Sequence, residues 1–418
     1  MIPISEAIRI IKRETFSLPA ETIELENSIG RVLAENIKAD MNLPPFDRAQ
    51  MDGFAVRTED TKNAPAHLRI IGESVAGNGF DRKLNSVEAV RIMTGARIPI
   101  GANAVQQVEL TRENYGFVEI LEPPKLLQNI NKCGSEIKKG KKIFAKGEII
   151  TEQMVAGIAS FGYAKLKVFQ QPSIKILSTG SEIVEINEIP KKDQIRNSNS
   201  IMLKFFAEKT GGTAGILPKV SDDLETLKNQ IAEAVGIGAQ VPISKFRINK
   251  SRPRNAKPEI VIITGGVSVG DYDFTKPALR ELGAEFFFEK LSLKPGKPTV
   301  FAKLNDVLIF ALPGNPVSVA VTYYLFVHRT IMQMQSAAIT DLKDGFAIVS
   351  DKIKGAKERD SYLPVSLLTT KTGSLMIESL RFSGSSNFIA FARANALVFV
   401  PQNRTLERGD VAQILFLP

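Results

Sequence analysis

The chain has 418 residues, of which 44% are hydrophobic and 24% charged, the balance of a soluble globular protein with room for several domains. Its single cysteine, Cys133, excludes an internal disulfide and a cysteine-based zinc site, so a metal site would use oxygen ligands and a hard ion such as Mg²⁺. The formal net charge of +9 favours anionic partners, whether nucleic acid, a membrane surface or a phosphorylated small molecule. Because the sequence has neither a signal-peptide core nor an uncharged apolar run of about 20 residues, we expect a cytoplasmic protein.

The first part of the chain predicts helical segments that flank a β-rich insertion. Residues 1–40 predict two helical pieces, and residues 41–136 are rich in glycine, proline and β-branched residues, which predicts a small β-rich domain. Residues 137–168 contain a lysine-rich turn and then a helix. We therefore expect a discontinuous dimerisation domain formed by 1–40 and 137–168, with 41–136 inserted into it.

Further along, strands alternate with helices. The strands "SIKIL", "GTAGILP", "PEIVIIT" and "DVLIFAL" are separated by helical patterns, for which we predict Asn199 or Ser200 and then Ser221 as N-caps. This alternation predicts an α/β domain with a doubly wound, mostly parallel sheet over residues 169–335, and the β-rich tail predicts a C-terminal β-barrel-like domain over 336–418. Ligands of such α/β sheets bind beyond the carboxyl ends of the strands.

The stretch "TGGVSVGDYDFTK" follows one of these strands and combines features that favour anions with two carboxylates. Gly265 and Gly266 let the backbone approach a ligand closely, and the helix that follows offers its positive end. Asp271 and Asp273 would repel a bare phosphate, but they fit a site where a divalent cation bridges carboxylate and phosphate. A tight turn with a capping aspartate explains the stretch equally well.

Three other loops suit an anion or a cation site. In "LSLKPGKP", two prolines and a glycine stiffen the turn that carries Lys294 and Lys297, which suits an oxyanion such as phosphate or a tetrahedral metalate; the alternative is an exposed lysine turn. Glu182 in "STGSE" is either a ligand or a helix cap. Asn315 in "LPGNP" lies where backbone N–H groups can meet an anion, although a turn before a helix suffices.

Two further features are weaker when taken alone. Asp52 and Thr94, in "FDRAQMDGFAV" and "RIMTGARIP", lie in loops for which ordinary turns are the favoured interpretation. The segment 242–258 carries six basic residues and no acidic one. A solvated insertion is favoured there over a basic arm that binds an anionic partner.

Seven motifs, taken together, follow one another in an order that spans the chain: "FDRAQMDGFAVR", "RIMTGARIP", "STGSE", "IRNSNS", "TGGVSVGDYDFTK", "KLSLKPGKP" and "LPGNPVSV". In this order and over the whole chain they resemble the molybdopterin molybdenumtransferase family, a bacterial enzyme family related to the E domain of gephyrin. The resemblance implies that adenylylated molybdopterin is hydrolysed with Mg²⁺ and that molybdate is inserted, which yields molybdenum cofactor and AMP. It also implies an elongated homodimer of four-domain subunits with the active cleft between subunits. A phosphorylated pterin and a molybdopterin adenylyltransferase are the implied partners, with no nucleic acid or membrane.

The resemblance also implies roles for individual residues. The implied catalytic residues are Asp52, Thr94, Glu182 and Asp273, and the implied metal ligands are Glu182, Asp271 and Asp273. The residues implied to bind molybdate, pterin or phosphate are Gly265, Gly266, Ser268, Lys290, Lys294, Lys297, Pro298, Asn315 and Ser385.

Several positions depart from the family pattern. Glu136 and Asn197 replace residues that are commonly aspartate, and "RAQ" replaces "NSA" in the first motif. Lys219 stands where a functional aspartate is expected, and Pro364 where an arginine of the molybdate pocket is expected. Two other functions therefore stay open beside the enzyme that inserts molybdenum. One is a scaffold of the same fold with weakened catalysis, and the other is an adenylyltransferase acting on molybdopterin itself.

Overall fold

A computed structural model describes four stretches of the chain, which are residues 1–237, 257–267, 273–380 and 384–418. The chain divides into two compact units. The larger unit comprises Met1–Glu35, Lys146–Thr151 and Lys165–Pro418, and the smaller unit comprises Asn36–Ala145 and Glu152–Ala164. The four-domain division read from the sequence stays a prediction. Most of the basic segment 242–258 lies outside the described residues.

The smaller unit is built on a six-stranded sheet, as its content of β-branched residues predicts. In spatial order the strands are Ala104–Gln107, Gly53–Val56, Glu88–Ile92, Ala66–Ser74, Phe117–Ile120 and Thr111–Asn114. Two short antiparallel pairs, Arg48–Ala49 with Ile130–Asn131 and Ile37–Lys38 with Lys142–Phe144, and one helix, Glu152–Ser160, complete the unit. Apolar side chains are buried on both faces of the sheet.

The larger unit begins with the helix Ile4–Glu14, which buries Ile4, Ala7 and Ile11 against the central core. The second helical piece predicted within residues 1–40 is wrong. Ala20–Glu24 is instead a strand that pairs antiparallel with Lys165–Phe169. The sequence AETIE alternates between exposed and half-buried positions, the period of a strand, and its partner lies far away in the sequence.

A six-stranded mixed sheet forms the centre of the larger unit. In spatial order its strands are Thr213–Ile216, Ser173–Ser178, Ile260–Thr264, Val307–Leu312, Val300–Leu304 and Glu285–Phe288. The first four strands pair parallel, and Val300–Leu304 pairs antiparallel with both of its neighbours, so the sheet is mostly parallel, as predicted. The central strands are apolar on both faces because helices cover them on both sides. These helices are Ser198–Lys209, Leu224–Ala234, Thr275–Glu281, Pro316–Thr322 and His328–Met334, the last two joined by a π-helical turn, Tyr323–Val327.

The N-caps of two helices differ from those predicted. Asn197 caps Ser198–Lys209 by accepting a hydrogen bond from the N–H of Ser200, and Asp223 caps Leu224–Ala234 by accepting one from Thr226. The residues predicted as caps, Asn199, Ser200 and Ser221, are two or three positions away. Each of these runs contains several capping residue types, so sequence alone does not choose among them.

The C-terminal part of the larger unit is a closed sheet. Around the ring the strands are Asp360–Thr369, Leu375–Ser379, Asp344–Val349, Val411–Phe416 and Ala396–Val400, and the last pairs with the first. Ala347, Val349, Val398 and Ile414 are among its buried residues. The short strand Leu293–Lys294 adds to this sheet. In the described parts of the chain, none of the helices combines the length and apolar character that crossing a bilayer requires.

Candidate active site

A cavity of about 730 Å³ lies at the carboxyl ends of three neighbouring parallel strands of the larger unit. The strands Ser173–Ser178, Ile260–Thr264 and Val307–Leu312 end at the same edge of the sheet. The loops after them therefore meet there, which is the usual ligand position in such sheets. The described residues in these loops that line the cavity are Thr179, Gly180, Glu182, Gly265, Gly266, Val267, Pro313, Gly314 and Asn315.

Three carboxylates line this cavity, and we call Glu182, Asp222 and Asp273 the acidic wall. Asp222 is half-buried, and both of its oxygens are engaged: Oδ1 accepts from the hydroxyl of Thr179 at 3.2 Å and Oδ2 from the N–H of Ser181 at 2.9 Å. The N–H of Asp222 in turn donates to the Ser181 hydroxyl at 3.3 Å. Asp222 thereby fixes the loop that carries Glu182.

The glycine loop lies unusually close to the Thr179 loop. Gly265 has a φ of +100°, and a Cβ placed on it would lie 2.3 Å from the carbonyl oxygen of Thr179. The N–H of Thr179 donates to the carbonyl of Thr264 at 3.0 Å. Only glycine fits this approach, so the spacing of the two loops depends on Gly265.

Lys294, Lys297 and Arg359 also line the cavity, and we call them the basic wall. The turn between the two lysines contains the buried residues Pro295 and Gly296. Gly296 has a φ of +121°, and a Cβ there would lie 2.6 Å from the Thr322 side chain, so the turn packs tightly against that helix. None of the three basic side chains pairs with a carboxylate among the residues that the structure describes.

Ser385 and Asn315 lie on the same cavity and contact each other. The side-chain amide of Asn315 donates to the hydroxyl of Ser385 at 2.8 Å. The N–H of Val317 donates to the carbonyl of Ser385 at 3.1 Å. These two bonds tie the segment that carries Ser385 to the start of the helix Pro316–Thr322.

Asn199 connects two of the loops that form the cavity. Its side-chain NH₂ group donates to the hydroxyl of Thr264 at 3.1 Å and to the carbonyl of Gly314 at 2.7 Å. Asn199 also lines a second cavity of about 660 Å³, which shares Thr179 and Glu182 with the first. The Oδ1 atom of Asn199 is buried and has no hydrogen-bond partner within the described stretches.

In the smaller unit, Asp52 and Thr94 form a contact of their own. Oδ1 of Asp52 accepts hydrogen bonds from the N–H and from the hydroxyl of Thr94, each at 2.7 Å. The backbone bond, followed by the hydroxyl bond, lowers the pKa of the Asp52 carboxyl. The two predicted residues are therefore together, with Asp52 held in its ionised form.

The structure gathers most of the predicted site residues of the larger unit around the first cavity. They are Glu182, Gly265, Gly266, Asp273, Lys294, Lys297, Pro298, Asn315 and Ser385. Lys290 is exposed and does not line this cavity; its carbonyl accepts from the N–H of Ile2. Ser268 and Asp271 lie outside the described residues. Three residues of the site were not predicted as site residues, namely Asp222, Asn199 and Arg359. Their charged or amide side chains are visible in "SDD", "RNSNS" and "KERD".

The residues that depart from the family pattern take other places. The ammonium of Lys219 donates to the carbonyl of Ile183, outside the cavity lining. Pro364 is buried and pairs with Leu397, while the neighbouring Leu363 lines the cavity. In the smaller unit, Glu136 accepts a hydrogen bond from Arg48 at 3.0 Å.

The acidic wall has a suitable donor set for Mg²⁺. Its ligands would be carboxylate oxygens, which this hard ion prefers. Within the described stretches, no three His, Cys, Asp or Glu residues converge as a complete metal site. Mg²⁺ in phosphate-processing sites is commonly held by one or two carboxylates together with substrate phosphates, so Glu182 and Asp273 fit that pattern.

Comparisons with known proteins identify the family to which the chain belongs. Three family models match the chain: the MoeA N-terminal region (domain I and II) at residues 2–162, the probable molybdopterin binding domain at 247–333, and the MoeA C-terminal region (domain IV) at 347–417. The molybdopterin molybdenumtransferase of Staphylococcus aureus (strain COL) is 34% identical over 419 residues, which cover 99% of this chain and 95% of the relative. That of Bacillus subtilis (strain 168) is 33% identical, over 100% of this chain and 94% of the relative.

A solved structure gives the same result. The molybdopterin biosynthesis MoeA protein from Pyrococcus horikoshii OT3 superposes with a TM-score of 0.81 and 28% identity, covering 100% of both chains. A molybdenum cofactor biosynthesis protein from Pyrococcus furiosus shares the fold, with a TM-score of 0.59 and 16% identity over 100% of both chains. The chain therefore belongs to the molybdopterin molybdenumtransferase family of molybdenum cofactor biosynthesis.

Proposed function

We propose that this enzyme acts on adenylylated molybdopterin, hydrolysing the adenylate in a magnesium-dependent step that releases AMP, and that it inserts molybdate to give molybdenum cofactor. The observation that carries this proposal is one cavity lined both by carboxylates and by ammonium groups without carboxylate partners in the described stretches. A reaction between a phosphate-containing substrate and a separate oxyanion needs both kinds of side chain, carboxylates to hold a metal ion and ammonium groups to bind the negative oxygens. Family membership supplies the pterin chemistry to which the cavity is matched.

The roles of the chain's own residues follow from their charges and supports. The stiff turn fixes the backbone at Lys294 and Lys297, so their ammonium groups can bind negative oxygens with little further loss of backbone entropy. Gly265 and Gly266 line the cavity. The N–H of Gly265 donates to the carbonyl of Leu312 at 3.3 Å, so the N–H of Gly266 is the group proposed to donate a hydrogen bond to a phosphate. Glu182 and Asp273 would hold Mg²⁺, with Asp271 as a further ligand, and the bound ion supplies neutralisation of phosphate charge.

Asp52 and Thr94 are proposed as further catalytic residues. The two hydrogen bonds that Thr94 donates keep the carboxylate of Asp52 ionised and oriented, as a group that assists a reaction must be. A homodimer, a molybdopterin adenylyltransferase as the partner that delivers substrate, and a cytoplasmic location complete the proposal. Sedimentation of the purified protein tests the dimer.

Release of AMP tests the function directly. Purified protein is incubated with adenylylated molybdopterin, MgCl₂ and molybdate, and AMP is quantified by chromatography. We expect AMP release from the wild-type protein and a loss of at least about 100-fold in Asp273→Asn, because the variant removes a charge where the transition state needs it. Asp306→Asn is the matched control, since Asp306 is an exposed turn aspartate outside the cavity.

A catalytically weakened scaffold of the same fold is the alternative. Lys219 favours it, because this residue replaces an expected aspartate and its ammonium contacts a backbone carbonyl instead of the cavity. The scaffold predicts no AMP from the wild-type protein with any divalent metal. Equal AMP release by wild type and Asp273→Asn would contradict the assignment of Asp273.

A further inference from the structure

We propose that the smaller unit carries a docking surface for an acidic segment of a partner protein, formed by five exposed lysines. They lie on the paired strands Ile37–Lys38 and Lys142–Phe144 and on the turn that precedes the second strand. We call them the lysine ribbon: Lys38, Lys138, Lys139, Lys141 and Lys142. The described lining of the active-site cavity contains none of them, so the inference goes beyond the proposed function and does not depend on it.

Hydrogen bonds hold the backbone of the lysine ribbon in place. The N–H of Ala39 donates to the carbonyl of Lys141 at 2.9 Å, and the N–H of Gly140 donates to the carbonyl of Ala39 at 2.8 Å. The phenol oxygen of Tyr163 accepts from the N–H of Lys38 at 3.0 Å, and its hydroxyl lies 3.2 Å from the carbonyl of the same residue. The backbone is therefore fixed before a partner arrives, which reduces the entropy that binding costs.

The register of the two strands places like charges opposite each other. Lys38 lies directly across from Lys142 in the antiparallel pair, an arrangement that destabilises a sheet. Three further lysines occupy the adjoining turn, in which Gly140 has a φ of +84°. An anionic partner that spans these charges relieves their repulsion, so the charge pattern favours the bound form.

The arginines of the smaller unit, by contrast, are neutralised by the protein itself. Each of them forms an ion pair with a carboxylate, and they are Arg48, Arg57, Arg69, Arg82, Arg91, Arg97 and Arg112. Among the residues that the structure describes, no carboxylate pairs with a lysine of the ribbon. Asp40 belongs to the same segment, but its Oδ2 lies near Gly162, 3.8 Å from the position of a Cβ there. The ribbon is thus a local excess of positive charge.

The surroundings of the ribbon favour a short acidic protein segment over an extended polyanion. Apart from the ribbon, the smaller unit has more acidic than basic residues, which would repel a nucleic-acid backbone or an anionic membrane. The neighbouring aromatic residues Phe144 and Tyr163 are half-buried, which does not suit stacking on bases. Lysines also lack the planar fork with which arginines bind phosphate. Glutamate and aspartate side chains need only the point charges that this surface offers.

The test is fluorescence anisotropy of the purified full-length protein with a labelled poly-glutamate peptide, with a glycine–serine peptide as the neutral probe. We expect the double variant Lys138→Gln, Lys142→Gln to bind poly-glutamate roughly 10-fold more weakly than wild type. Added salt should weaken wild-type binding, because the attraction is electrostatic. The matched control is Lys62→Gln, Lys83→Gln, which removes two exposed lysines of the same unit outside the ribbon and should bind like wild type.

Thermal melting separates docking from a structural role. Lys142→Gln removes the charge opposite Lys38, so its melting temperature should equal or exceed that of wild type. A lower melting temperature with unchanged affinity for poly-glutamate would make the ribbon structural and overturn the inference. AMP release should be the same in wild type and in both double variants, so a failure of the proposed function leaves this test intact.

Other results would also overturn the inference. They are wild-type affinity in the ribbon variant, an equal loss in the control variant, or a wild-type protein that binds poly-glutamate no better than the neutral peptide. Duplex DNA and phosphatidylserine vesicles form the last arm of the experiment. If either binds the wild-type protein more tightly than poly-glutamate does, and loses that binding in the ribbon variant, the partner is a polyanion of another class.

Discussion

The acidic and basic walls of the cavity are prepared in different ways. Asp222 has both carboxylate oxygens engaged by the Thr179–Glu182 loop, so hydrogen bonds set the geometry of that wall. Lys294 and Lys297 are exposed and have no carboxylate partner in the described parts of the chain, and the stiff backbone between them sets their geometry. The comparison teaches that the protein itself satisfies Asp222 in the acidic wall, whereas the two lysines of the basic wall are left for an incoming anion to neutralise.

The largest test of this comparison is Gly265→Ala, which separates the two loops beneath the acidic wall. The new Cβ would lie 2.3 Å from the carbonyl oxygen of Thr179, at a φ of +100°. We expect unfolding free energy to fall by about 2–4 kcal/mol, because positive-φ strain and overpacking add. AMP release should fall by a larger factor than stability alone explains. Urea denaturation and the AMP assay measure the two effects.

Gly283→Ala is the control for backbone strain alone. Gly283 has a φ of +77°, but nothing lies within 4 Å of its Cβ position. It should cost about 1 kcal/mol or slightly more and leave AMP release unchanged. If the two variants behave alike, the close approach of the loops has no role in the site.

A smaller effect is expected for Asp222→Asn, which removes the charge but keeps the size of the side chain. The amide can keep only part of the hydrogen bonding to Thr179 and Ser181, so Glu182 loses some of its support. We expect AMP release to fall by roughly 10-fold, the effect of about 1.4 kcal/mol. The molybdate affinity measured by dialysis should stay the same, because the basic wall is built independently.

The neighbouring Asp223→Asn variant provides the comparison. Asp223 caps the helix Leu224–Ala234 and does not line the cavity, and asparagine is an equally good cap. We expect wild-type activity and stability there. If AMP release falls as much in Asp223→Asn as in Asp222→Asn, the total charge of this segment matters and the position of Asp222 in the acidic wall does not.

The smallest effect is expected for Asn199→Ala, which removes the connection between Thr264 and Gly314. Asn199→Ala loses two hydrogen bonds, each worth about 1 kcal/mol of stability. Because Asn199 supports the loops without touching the substrate, we expect only about half of that sum in the transition state, a roughly fivefold fall in kcat/KM for AMP release. Asn199→Asp should fall further, because its carboxylate would face the Gly314 carbonyl. Asn187→Asp, the same change at an exposed position, should behave like wild type. Unchanged kinetics in both Asn199 variants would remove the connecting role.

Much of this site was readable from the sequence because local signals mark it. Gly265, Gly266 and Glu182 directly follow apolar strands, and parallel strands bring such loops to one edge. Lys294 and Lys297 are marked by the proline and glycine between them. The mostly parallel sheet was likewise readable, because strand and helix patterns alternate over residues 169–335.

The features that were missed depend on contacts between distant segments. The place of Asp222 is set by Thr179 and Ser181, about forty residues earlier in the chain, and no local pattern distinguishes it from Asp223. Arg359 reaches the cavity only because Leu293 pairs with Asp360, a register that sequence does not state. The strand Ala20–Glu24 was predicted as helix for the same reason, since its partner strand lies some 140 residues away.

The short strand Leu293–Lys294 has a consequence for how this chain can be dissected. It hydrogen-bonds into the C-terminal closed sheet, while the turn that follows packs on Thr322 of the central α/β part. Lys294 is thus hydrogen-bonded to a C-terminal region that could be mistaken for a separable domain. Truncating the chain after the helix His328–Met334 would therefore not give a minimal catalytic fragment. The truncation would remove the strand Asp360–Thr369, with which Leu293–Lys294 pairs at the start of the anion-binding turn.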